Sequence, residues 1–247
     1  MNKYYIGMHE VYDEKKYKRD FKSHFAGVEC CNLESEKEFY RLIKHLDFNE
    51  EIGVHFPLLK NDYPIRDAYV NHMDSQTRDH AFQILETTLN TCQEKGLSYL
   101  LVHFPKPMIL DDELDWHLAK FRESDLIKSS EMSYEFFYKM CDVTLSRLNL
   151  LSLQYGIKIV LELELFNPWL NETNLLQDLL RKYKQLSLCL DAARLHVIQN
   201  IDPNFDMFEF AETHKEFTSN IKLSNLHFEG GIKKAHHPPI RALNKEK

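Results

Sequence analysis

Two hydrophobic patterns alternate along the chain. Short apolar runs of strand length recur at Tyr4–His9, Gly27–Cys31, Ile52–Pro57, Leu97–Pro105, Ile157–Pro168, Leu186–Ala192 and Ile221–Phe228. Between them lie longer stretches with apolar residues at helical spacing. Phe39, Leu42, Ile43 and Leu46 form one such stripe after Ser35, which has capping-box spacing to Glu38. Phe82, Leu85, Leu89 and Cys92 form a second within about Ser75–Lys95, closed by Gly96. A third runs through Phe137, Met140, Thr144, Leu148 and Leu151 within Ser133–Tyr155 and stops at Gly156. Further helices are expected over Thr173–Lys184 and Phe205–Phe217, and the DDELDWHLAKFRE portion of the long connection 106–131 has helical character. Strand alternating with helix predicts a parallel α/β fold. Neither GxGxxG nor GxxxxGK[ST] occurs, so a (β/α)8 barrel of about 250 residues fits better than a doubly wound sheet. Seven strands are countable; the eighth is missing or hidden in the tail, so the barrel is expected to be truncated or irregular there.

The polar exceptions to the apolar runs sit at strand ends. His9, His55, His103, Glu162 with Glu164, Asp191 and His227 come from six different strands. In a barrel those ends meet at one mouth. Both His55 and His103 stand in a His-Phe-Pro sequence, and Pro is expected to end each strand because it cannot donate to the ladder. Glu162 and Glu164, two apart, point to the same face. Two buried carboxylates side by side are costly without a cation or donor; the plain alternative is a strand that stops early and leaves both wet. Imidazole and carboxylate together suit a divalent ion such as zinc or manganese.

Composition narrows the picture. The 247 residues suffice for one domain over 1–247, and 43% apolar content allows a full core. A formal charge of −7 opposes nonspecific nucleic-acid binding. No run approaches a membrane span, and the opening MNKYYIGMHE has no signal-peptide core. Five cysteines without a CxxC pair read as buried thiols of a cytoplasmic protein.

The strand motifs together resemble the xylose-isomerase-like barrel superfamily, which includes sugar isomerases and epimerases and the class II apurinic endonucleases. YIGMH resembles the family's opening Tyr-Ile-Gly-Ala-His; VHFP and LVHFP resemble its histidine strands; IVLELE, CLDAARLH and LHFEGG…HHPP resemble its later strands. The resemblance implies a metal held by residues among His55, His103, Glu162, Asp191, His227 and His237. It also implies proton transfer by Glu162 with Glu164 as second carboxylate, and His9, Lys106 and Arg194 near the substrate. Arg194 stands where the family often has a histidine, and Ala235 where the endonucleases have an aspartate. The family's last-strand glutamate is absent.

The expected activity is therefore a metal-dependent isomerase or epimerase acting on a small sugar or polyhydroxy substrate by Lewis-acid and general acid–base chemistry. A homodimer is possible, since a partner chain could fill the incomplete site. The alternatives are an endonuclease-branch phosphodiesterase and a non-catalytic barrel that has lost its metal.

Overall fold

The computed structural model describes residues 3–46, 49–61, 67, 69–116, 126–164 and 167–223, and the backbone of 226–229 and 232–236. Seven parallel strands form the main sheet: β1 (Tyr5–His9), β2 (Gly27–Leu33), β3 (Glu51–Leu59), β4 (Tyr99–Phe104), β7 (Lys158–Leu163), β8 (Leu186–Asp191) and β9 (Thr218–Lys222), paired in that order. Lys222 on β9 reaches Glu29 on β2 and His55 on β3. The sheet is thus curled into a barrel, with its outer edges at β1 and β9.

Period two along each strand sorts the side chains. Inward positions give a small apolar cluster of Tyr99, Leu101, Val160 and Cys189, with Tyr5 beside it. Outward positions such as Val54, Leu100, Ile159, Leu161 and Leu188 join the large core beneath the helices. Those helices include α2 (Glu36–His45), α3 (Ser75–Glu94), α4 (Tyr134–Tyr155) and α6 (Leu175–Lys182). α4 begins where Ser133 Oγ accepts the Phe136 N–H at 3.2 Å and ends at Gly156 (φ 63°), a left-handed position that favours glycine. All five cysteines are free and buried. Among the described residues no helix is long and apolar enough to cross a membrane.

Several expectations are corrected. Ser35 caps α2 by position, but its side chain makes no capping bond; Glu38 accepts from Tyr12 N–H and pairs with Arg41 instead. Pro57 does not end β3, which continues to Leu59 through a register shift against β2, the kind of irregularity that accommodates a missing N–H. Residues 111–116 are not helical, and 117–125 lie outside the described residues. The connection also carries the parallel pair β5 (Met108–Leu110) and β6 (Leu126–Lys128). Two short helices, α1 (Glu14–Asp20) and α7 (Ala192–Ile201), were not expected. The predicted helix over 173–184 is preceded by α5 (Pro168–Glu172), and that over 205–217 narrows to α8 (Met207–His214) with a 3-10 turn. The seventh strand ends at Lys222, not Phe228. His227 lies on β10 (Leu226–Glu229), which pairs antiparallel with β11 (Ile232–His236) in a separate hairpin. His237 lies outside the described residues.

Gly53 on β3 shapes the barrel interior. A Cβ there would overlap the Tyr99 ring, whose hydroxyl donates to Glu29 at 2.8 Å. Gly53→Ala is expected to displace that ring and lower stability by about 1–3 kcal/mol; thermal melts read it, and an unchanged Tm would refute the close packing.

Candidate functional site

Inward positions hold His55 midway along β3, and His103 and Glu162 each next to last on β4 and β7, and Glu164 follows directly on β7. The ladder places His103 opposite Glu162. β7 does end early, at Leu163 and not at Pro168, which opens α5, but Glu162 is 1% and Glu164 4% exposed, so neither carboxylate is wet. β8 ends in Asp191, whose Oδ1 accepts the Ala193 N–H at 2.8 Å and the Arg194 N–H at 3.4 Å. Asp191 thus caps α7, and the first turn of α7 aims Arg194 across the strand ends.

Arg194 binds the two glutamates as a clamp. Its Nη2 lies 3.1 Å from Glu162 Oε1, its Nη1 contacts Glu164 Oε2, and its Nε lies 3.7 Å from Asp191 Oδ2. On the other side, the Lys222 ammonium contacts Glu162 Oε2, and lies 2.8 Å from His55 Nδ1 and 3.4 Å from Glu29 Oε1. Lys106, buried, sits 3.5 Å from Glu164 Oε1. His103 Nδ1 is 2.9 Å from Glu164 Oε1, off the hydrogen-bond line, and 3.3 Å from Asp67 Oδ2.

The two imidazoles meet at 2.9 Å between their Nε2 atoms. An ammonium can only donate, so His55 Nδ1 accepts from Lys222; with both rings neutral, His55 then carries its proton on Nε2 and gives it to His103 Nε2. Burial and then the Lys222 charge push His55 down to about 4. Burial also works against charge on His103, but Asp67 and Glu162 outweigh it and raise that ring. Burial opposes ionisation of Glu162 and Glu164, yet Arg194 above all, with His103, holds both well below the usual carboxylate range. Glu29 is likewise opposed by burial but drawn to about 2 by His55 and Lys222.

These shifts fix a pH dependence. His55 is depressed in the folded state, so the unfolded chain binds its proton first as pH falls from about 6.5 toward 4, and stability drops over that window. His103 is raised and acts with the opposite sign, its contribution fading as pH rises. Glu29 adds a further loss from about 4.5 down to 2. Wild-type unfolding free energy is expected to fall by about 1–3 kcal/mol between pH 7 and 5. His55→Gln should flatten that slope and His103→Gln steepen it in urea titrations; slopes unaffected by either change would contradict the assignment.

The donor atoms of His55, His103 and Glu162 lie within 4.8 Å of one another, a group of the right composition for a divalent ion. The surroundings do not fit one. Glu162 presents one oxygen to Arg194 and the other to Lys222. An ion bonded to Oε2 would lie within roughly 4–5 Å of the ammonium, and a dication and a monocation 4 Å apart repel by about 8 kcal/mol at an effective dielectric constant of 20. The histidine nitrogens, at 2.9 Å, are also closer than the about 3.4 Å of two nitrogens on a tetrahedral zinc.

Of the residues expected from sequence, His55, His103, Glu162, Glu164, Asp191, Arg194 and Lys106 come together. His9 does not: it is exposed at the end of β1, 3.8 Å from Glu10. The pattern of polar strand ends does not single out Lys222, Asp67 or Tyr99. For Lys222 the one available signal was its inward register beside Asp191, visible only once the strand bounds are known.

No family model matches the sequence, and no curated protein matches it. Solved structures share the fold. A 3-keto-D-glucoside 4-epimerase from E. coli is 14% identical, with 91% of this chain and 80% of that chain covered and a TM-score of 0.59. A D-tagatose 3-epimerase-like protein is 17% identical over 92% of this chain and 77% of that one, TM-score 0.59. Mannonate dehydratase from Streptococcus suis serotype 2 is 11% identical over 96% and 76%, TM-score 0.59. The likeness is one of fold: these structures share the curled parallel α/β barrel of this chain.

Proposed function

We propose that the cluster at the barrel mouth is the working site of an isomerase or epimerase acting on a small sugar or polyhydroxy compound. One observation carries the reading: two buried carboxylates, Glu162 and Glu164, stand side by side among histidines and fixed cations where the strand ends converge. Proton transfer at a carbon beside a carbonyl needs a carboxylate base and positive charge on the carbonyl oxygen. Glu162 and Glu164 offer the base; Arg194, Lys106 and Lys222 offer the charge. Sugar epimerases among the structures that share the fold support the substrate class. No step is routed through a divalent ion, because the residues present do not fit one.

Incubation with ketopentoses and ketohexoses in D2O tests this. Deuterium should enter at a carbon next to the carbonyl, seen by NMR, and should fail to enter with Glu162→Gln. Sugars that neither exchange nor shift the Tm would sink the proposal. A second reading has its own support: the chain's own cations neutralise both glutamates and make them weak bases. A non-catalytic sugar-binding barrel follows from that, and a sugar-dependent Tm shift without any exchange would select it.

A further inference from the structure

We propose that the Lys222 ammonium is the resident cation of this site, taking the place of a divalent ion among His55, Glu29 and Glu162, and that removing it turns the cluster into a metal-binding site. The inference rests on reading this cluster as the working site, but not on any reaction there.

The ammonium is coordinated as a bound cation would be. It has three N–H donors, and three acceptors from three strands surround it: Glu162 Oε2 on β7, His55 Nδ1 on β3 and Glu29 Oε1 on β2. To reach them the side chain crosses the barrel from β9. Lys222 is also the last residue of the seventh sheet strand, in register with Asp191, the strand whose end was expected to carry His227. A positive charge is therefore built into the chain at a strand end from which an imidazole could have pointed a lone pair.

The same geometry explains why His55 and His103 face each other. With Lys222 donating to His55 Nδ1, the one proton of His55 lies between the two Nε2 atoms at 2.9 Å. That shared proton blocks the lone pairs a metal would use. Without the ammonium, His55 can move its proton to Nδ1, toward Glu29 at 3.6 Å, and turn Nε2 free. Its ring would then be held from behind by a carboxylate, as metal-bound histidines commonly are. His103 already has Glu164 and Asp67 behind its Nδ1. Lys222→Ala thus leaves two imidazoles and Glu162 with donor atoms already within 4.8 Å.

The test is metal binding by untagged protein, read by metal content after dialysis and by calorimetry with ZnCl2 and MnCl2. Wild type should retain no stoichiometric ion at this site. Lys222→Ala should bind one zinc per chain about a hundred-fold more tightly than wild type or beyond. Lys222→Arg, which keeps the charge, should show no gain. The double variant Lys222→Ala/His103→Ala should lose the gain, which separates this site from surface histidines. One tightly held ion per wild-type chain, or a Lys222→Ala variant no tighter than wild type, would overturn the proposal. Should Lys222→Ala fail to fold, Lys222→Gln and the wild-type metal content decide in the same way. No arm reads activity, so failure of the sugar-isomerase reading leaves this result standing, and the reverse holds too.

Discussion

Arg194→Met should destabilise the protein by about 3–5 kcal/mol, the cost of leaving buried charge without its partner. In a chain of this size that lowers Tm by roughly 10 °C. The guanidinium touches Glu162, Glu164 and Asp191, and both glutamates are almost wholly buried. Methionine fills much of the volume but supplies no donor, so carboxylates held far below their usual range by Arg194 must take up protons or water. Arg194→Lys should recover only part of the loss, because a single ammonium cannot bridge two carboxylates as a planar fork does. Urea unfolding at pH 7 measures it. A loss under 1 kcal/mol for Arg194→Met would show that the clamp contributes little beyond its packing.

Glu162→Gln is expected to have the larger effect on chemistry and the smaller one on stability. The amide keeps the shape. Lys222 retains His55 and Glu29, and Arg194 retains Glu164 and Asp191. Removing the base should slow proton exchange into a sugar by about 10²–10⁴-fold. The two changes should also be strongly non-additive. Once Glu162 is neutral, Arg194 has one fewer carboxylate to serve, so the double variant Glu162→Gln/Arg194→Met should be more stable than the sum of the single losses predicts. Additive losses in that cycle would mean that the two side chains do not share one network.

The second half of the site shows how unequal the information in a sequence is. Glu162 and Glu164 were legible because a charge inside an apolar strand is conspicuous, and strand periodicity alone puts both on one face. His55 and His103 were legible because each precedes a proline at the end of an apolar run. The seventh strand was harder to place. Thr218–Lys222 is a polar stretch at the edge of the sheet, with Ile221 65% exposed, and an edge strand with little to bury leaves a weak hydrophobic signal. The pattern therefore slid toward the more apolar LHF sequence and put His227 on a barrel strand. The hairpin of β10 and β11 shows otherwise.

The alternating pattern of apolar and polar positions by itself determined the α/β class, the places of the first six strands of the main sheet and that His55, His103, Glu162 and Asp191 stand on them, since each is a local property of a few neighbouring residues. Only the tertiary structure decided what those ends do to one another. Lys222 meets His55 across 167 positions of sequence and Glu162 across 60, because a long side chain can cross a curled sheet to a strand that no local pattern connects to it. That contact changes the cluster from the open metal cradle its residue types implied into a network whose charges the chain itself answers. The physical reason is that the residue types fix only which charges are present, and Coulomb energy depends on the distances between them, which only folding sets.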